Sequence, residues 1–133
     1  MKKRIDRTTI QKLLSEAKAA KGFSYAPYSN FHVGAAVLGE NGEIYTGCNV
    51  ENASYGLTIC AERAAIFNAV SNGIHKIKAI AIWSDEDKPC SPCGACRQVI
   101  YEFSKDALVI VHTKGDKYIV KTISEMLPMG FSS

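Results

Sequence analysis

The chain has 133 residues, 47% of them hydrophobic and 22% charged, with 16 basic against 13 acidic side chains and a formal charge of +3. That is enough for one domain, spanning 1–133, to bury its core without disulfide staples; the charge is scattered, clustered only at Lys2-Lys3-Arg4, which argues against a dedicated nucleic-acid binder. No apolar run has the length of a membrane span or a secretory core, and the cysteines are odd in number, five, with three crowded into positions 90 to 96, a layout suited to metal rather than to a disulfide framework, so the expected setting is a reducing cytoplasm.

In chain order, Thr8-Thr9-Ile10-Gln11 has capping-box spacing, and Ile10, Leu13, Leu14 and Ala17 then share one helical face up to a stop at Gly22. Tyr25-Ala26-Pro27-Tyr28-Ser29-Asn30 is a loop by composition. Phe31 to Leu38, a turn at Asn41-Gly42, and Ile44 to Val50 predict a β-hairpin. Asn49 to Leu57 is polar and turn-rich, after which Thr58 can cap a helix from about Cys60 to Asn72, ended by Gly73. Ile77 to Trp83 is an almost unbroken apolar run, as expected of a strand covered on both faces. Ser91 and Pro92 suit the cap and first residue of a helix carrying Cys93, Cys96, Val99, Ile100 and Phe103. Ala107 to His112 is a further buried strand, so a right-handed parallel crossover joins it to Ile77–Trp83. The strand at Lys117 to Thr122 follows too closely to be parallel, and a short helix at Ser124 to Leu127 breaks at Pro128. The sum is an α/β fold: a mixed five-stranded sheet between helical layers.

Two segments carry chemistry. Cys60-Ala61-Glu62 and Pro92-Cys93-Gly94-Ala95-Cys96 together offer three thiolates, with a carboxylate two residues from the first. Structural zinc sites fill four positions with protein atoms, whereas catalytic ones use three and leave one for water or substrate. Cys93 and Cys96 share a helical face, and helix starts favour thiolate over thiol. Arg63, three positions after Cys60, is placed to donate to a ligand sulfur and to help hold Glu62 ionised. Glu62 is the candidate proton shuttle beside a zinc that lowers the pKa of water to about 7. Two other readings stay open: Cys-x-x-Cys also marks structural zinc and redox motifs, and Cys90 could be a third or fourth ligand of a closed site in an interaction module. Cys48 reads as a small core residue, and His32, His75 and His112 show no mutual ligand spacing.

Taken together, Thr58 to Ile66 and Ser91 to Ile100 resemble the zinc-dependent cytidine deaminases, specifically the small all-cysteine homotetrameric class. The similarity extends through Tyr25-Ala26-Pro27-Tyr28-Ser29, Phe31-His32-Val33-Gly34-Ala35-Ala36, Gly47-Cys48-Asn49-Val50-Glu51-Asn52 and Leu127-Pro128 with Phe131. It implies a three-layer α/β/α sandwich with strand order 2-1-3-4-5, zinc on Cys60, Cys93 and Cys96, and Glu62 transferring protons as cytidine or deoxycytidine becomes uridine or deoxyuridine plus ammonia in pyrimidine salvage. By the same resemblance Asn49 and Glu51 bind the ribose, Phe31 packs on the pyrimidine, and backbone groups at Ala61 read the base. Neighbouring subunits would complete each site through Ala53, Tyr55 and Phe131. One departure is visible: Cys90 stands where relatives usually carry a non-ligating, often apolar residue. Within the superfamily, a nucleoside-antibiotic deaminase or a deaminase acting on nucleic acid is the alternative, disfavoured by Asn49-Val50-Glu51 and by the lack of a basic or aromatic strand-binding run.

Overall fold

Ile77–Ser84 is rich in isoleucine and alanine and has no glycine or proline, the composition of a strand buried on both sides, and it forms the central strand, β3, of a five-stranded sheet. The structure is a computed structural model that describes residues 5–85 and 91–132. Lys2-Lys3-Arg4 and Cys90 lie outside the described residues. The remaining strands are β1 (Val33–Gly39), β2 (Ile44–Cys48), β4 (Leu108–His112) and β5 (Tyr118–Thr122), in the order β2-β1-β3-β4-β5. β1 runs antiparallel to β2 and β3, β3 parallel to β4, and β4 antiparallel to β5. Both the hairpin and the parallel crossover read from the sequence are therefore present.

Four helices flank this sheet: α1 (Arg7–Lys21), α2 (Ala61–Ser71), α3 (Gly94–Phe103) and the short α4 (Ile123–Met126). Alternation along the strands divides the core in two. Ala36, Leu38, Ala79, Ala81 and Ile110 pack with Ile10, Leu13, Leu14 and Ala17 of α1, while Val33, Ala35, Val37, Ile80, Ile82, Val109 and Val111 pack with residues of α2, α3 and α4. Burying each leucine or isoleucine of the α1 stripe is worth roughly 1.5–3 kcal/mol, enough to dock that helix firmly. Two glycines allow close contact. A Cβ at Gly34 would lie 1.9 Å from the Ala17 carbonyl oxygen, and one at Gly47 would lie 2.3 Å from the Ala65 nitrogen, so α1 and α2 rest directly on backbone.

The helix starts differ from the sequence reading in a consistent way. α1 is capped by Asp6, whose carboxylate accepts from the Thr9 N–H at 2.8 Å, rather than by Thr8. Thr58 ends a 3₁₀ turn at Tyr55–Leu57 and does not cap α2; Cys60 holds the cap position itself. Likewise Cys93, not Ser91, is the cap of α3, and Pro92 lies before the helix. Cys48 is half-buried at the end of β2 rather than a core residue.

Candidate active site

Cysteine has no oxygen with which to cap a helix, and neither Cys60 nor Cys93 makes a side-chain cap hydrogen bond. Their side chains instead project past the helix ends toward each other and toward Cys96, one turn into α3. The three sulfurs lie within 4.8 Å of one another, with Cys60 half-buried, Cys93 exposed and Cys96 fully buried. Zinc–sulfur bonds of about 2.3 Å in a tetrahedron put sulfurs about 3.8 Å apart, so one ion can reach all three.

The electrostatics of the sulfurs fit a cation. The Cys96 thiol beside it and the Arg63 guanidinium, which donates from Nη2 to the Cys60 sulfur at 3.4 Å, lower Cys60 to about 5, against the opposing effect of burial. Cys96 is pushed the other way, first by its contact with Cys60 and then by burial and the nearby Glu62 charge. The group thus pairs a readily formed thiolate at Cys60 with a thiol at Cys96 that donates to it, and a divalent cation would take the place of that proton. Arg63 also has a buried Nε without a hydrogen-bond partner, which leaves this guanidinium committed to the sulfurs.

Glu62 lies in the first turn of α2 and is 5% exposed. Burial raises its carboxyl to about 7; the Cys60 charge adds to the rise, while its own backbone N–H and Arg63 oppose it. Arg63 therefore acts in the direction read from the sequence, but desolvation outweighs it. A buried carboxyl poised near neutrality beside three cysteine sulfurs is suited to taking up and returning protons.

The extended segment after β2 places Asn49 and Glu51 on one side, held by backbone pairing of Val50 with Ile59 and of Tyr25 with its neighbours. The Asn49 amide is buried: Oδ1 accepts from Val33 N at 3.0 Å and from the Ser24 hydroxyl, and Nδ2 donates to the Phe31 carbonyl at 2.8 Å. Glu51 accepts from Tyr28 N at 2.9 Å, Ser29 N at 3.1 Å and the Ser29 hydroxyl, which lower its carboxyl, the hydroxyl most. An amide has two donors and a carboxylate about four acceptor sites, so one N–H on Asn49 and one lone pair on Glu51 stay available. Phe31 packs partly buried against the α2 side of the core, and Ala61 is fully buried at the start of α2. A cavity of about 320 Å³ beside Glu51 is lined by Tyr28, Ser29, Asn52, Ala53, Tyr55 and Thr58. Tyr55 and Phe131 are 89% and 78% exposed, and the backbone of Phe131 is tied to α3 by both ends of the Gln98 amide.

Sequence reasoning missed the supports of these groups. Ser24 and Ser29 hold Asn49 and Glu51; Ser24 was not singled out in the sequence, and Ser29 stood only within the loop segment Tyr25–Ser29 that carried part of the resemblance. Arg97, next to Cys96, donates to the Pro92 carbonyl at 2.8 Å and to the Met126 carbonyl at 2.9 Å, fixing the entry to α3. Its spacing of four from Cys93 was the available clue.

Comparisons with known proteins agree with this geometry. The model of the cytidine and deoxycytidylate deaminase zinc-binding region matches residues 7–113. A cytidine deaminase from Sporosarcina psychrophila is 50% identical, over 92% of this chain and 91% of its own. A blasticidin-S deaminase from Bacillus cereus is 36% identical, over 76% of this chain and 77% of its own. The crystal structure of a cytidine deaminase from Burkholderia pseudomallei superposes with a TM-score of 0.87 at 44% identity, covering 91% of this chain and 98% of that one. With three convergent thiols, a buried glutamate beside them and this degree of similarity along nearly its full length, the chain belongs to the zinc-binding cytidine and deoxycytidylate deaminase family.

Proposed function

We propose that the protein hydrolytically deaminates cytidine and deoxycytidine to uridine and deoxyuridine with release of ammonia, a step of pyrimidine salvage, with one zinc ion per subunit on Cys60, Cys93 and Cys96. The observation that carries this reading is the buried Glu62 carboxyl set beside three sulfurs within 4.8 Å of one another. A zinc ion held there supplies Lewis acidity that brings the pKa of water to about 7. Glu62 would take one proton from that water and pass it to the pyrimidine ring nitrogen, then take a second from the hydroxyl left on carbon 4 and pass it to the amine as ammonia departs. Arg63 donates to Cys60 and offsets the negative charge of three thiolates.

Asn49 and Glu51 meet the sugar. One free donor and one free acceptor, both held rigidly by the chain, match a hydroxyl that both donates and accepts. A contact of this kind at the 3′ position leaves the 2′ position permissive, so both nucleosides are accepted. Phe31 packs on the base and Ala61 backbone groups read its edge. Tyr55 and Ala53 lie exposed beside Glu51, and Phe131 is exposed at its place against α3, so all three are open to neighbouring copies in the homotetramer proposed to complete each pocket. No described helix is long and apolar enough to cross a membrane, and reduced cysteines suit a cytoplasmic enzyme.

The test is ammonia release from cytidine, deoxycytidine, free cytosine, CMP, blasticidin S and single-stranded DNA. Selective turnover of the two nucleosides is the expected result. Preference for the antibiotic or for DNA would overturn the substrate assignment while leaving the family intact.

A further inference from the structure

The strand ladder between β1 and β3 is extended by one pair beyond Val33 and Ser84, and that pair is unusual in being held by a side chain. Asp85 N donates to the His32 carbonyl at 3.1 Å, and the Asp85 carboxylate returns to the same residue: Oδ2 accepts from His32 N at 2.7 Å and lies 2.7 Å from His32 Nδ1. Its other oxygen accepts from Lys21 Nζ at 3.0 Å, at the end of α1. Both backbone groups of His32 are thus fixed by Asp85. The preceding residue is Phe31, whose N–H donates to the Ser29 hydroxyl at 3.0 Å and whose carbonyl accepts from Asn49.

We propose that Asp85 is a positioning residue: by clamping His32 from the α1 side of the sheet, it fixes the direction in which the Phe31 ring leaves the opposite side. The inference rests on the reading that Phe31 packs against the pyrimidine. Sequence alternation supplies the lever, because consecutive residues of an extended chain point to opposite faces, so the clamp on His32 orients its neighbour without touching it. Asn30 before it has a positive φ of 58°, and the clamp stops the chain from relaxing that turn into Phe31. Stability alone does not call for this arrangement. Asp85 and Lys21 are 33% and 25% exposed, and hydrogen bonds and ion pairs so open to water contribute little to folding. Their effect is on geometry.

The experiment compares Phe31→Ala, Asp85→Ala and the double variant in the zinc-loaded enzyme, measuring kcat, KM for cytidine, zinc content and Tm. Stacking of a base on an aromatic ring is worth about 5- to 150-fold in affinity, so Phe31→Ala raises KM within that range. Asp85→Ala is expected to raise KM about 5-fold, with kcat within about twofold and zinc content unchanged. In the Phe31→Ala background the Asp85 effect disappears. An effect of Asp85→Ala that persists undiminished in the double variant overturns the proposal, as does a lowered Tm with unchanged KM. If Phe31→Ala leaves KM unchanged, the stacking reading itself fails and the proposal falls with it. Asp85→Ser, too short to hold both donors yet polar at a half-exposed position, gives the same comparison should the alanine variant not fold.

Discussion

Replacing Glu62 by glutamine keeps the size of the side chain and removes both the proton carrier and the titration. In the metal-free chain burial moves the Glu62 carboxyl from 4.5 to about 7, so ionising it in the folded state costs about 3 kcal/mol relative to the unfolded chain. The stability associated with the neutral carboxyl is fully present below pH 4.5. It is lost as pH rises from 4.5 through about 7, because the unfolded state releases its proton first. Glutamine has no such dependence. Metal-free Glu62→Gln should therefore unfold in urea like the parent near pH 4 and be more stable than it by about 1–3 kcal/mol at pH 8. After zinc loading, the same variant should keep its zinc and lose about 10²- to 10⁴-fold in turnover, read as ammonia release. Near-normal turnover with zinc in place would remove Glu62 from proton transfer; a stability difference independent of pH would refute burial as the origin of its raised pKa.

Three further outcomes follow from the geometry. Cys93→Ser should abolish stoichiometric zinc binding measured by metal analysis while Cys90→Ser retains it; strong loss in Cys90→Ser would mean a closed four-cysteine site. Asn49→Ala should lower kcat/KM for cytidine about tenfold and reduce unfolding stability by about 1–3 kcal/mol, since the buried Val33 N–H loses its acceptor; an unchanged kcat/KM in the folded variant would end the sugar assignment. Gly47→Ala places a methyl 2.3 Å from the Ala65 nitrogen and should lower stability by about 1–3 kcal/mol, whereas Gly56→Ala, with open space around it, should change Tm little.

The central strands were legible because nearly unbroken apolar runs of strand length leave few choices: Ile77–Ser84 and Leu108–His112 differ by one residue from their expected bounds. The helix starts were not, and the reason is chemical. Sequence rules for caps look for an oxygen, which Thr8, Thr58 and Ser91 each offer, yet at α2 and α3 the cap positions are occupied by sulfur. These helices give up a cap hydrogen bond and gain a sulfur that points beyond the helix end. The cysteine triad with Glu62 was readable from spacing, and the proposed nucleoside contacts Phe31, Asn49 and Glu51 from resemblance. The supports supplied by Ser24, Ser29 and Asp85 come from segments 22 to 53 positions away from the groups they hold, which spacing along one chain does not encode, whereas Arg97 secures its own helix start locally.

The position of β3 has a kinetic meaning. Cys60 precedes it in the chain, Cys93 and Cys96 follow it, and β3 alone joins β1 to β4. The three sulfurs therefore come from both sides of β3 in the chain, and the site is complete only when α2 and α3 are both docked on the sheet. A metal that binds only the completed site is expected to slow unfolding more than it speeds folding, a difference that unfolding and refolding rates with and without zinc would measure. A zinc ion held there would act as a latch on lifetime as much as a reagent for chemistry.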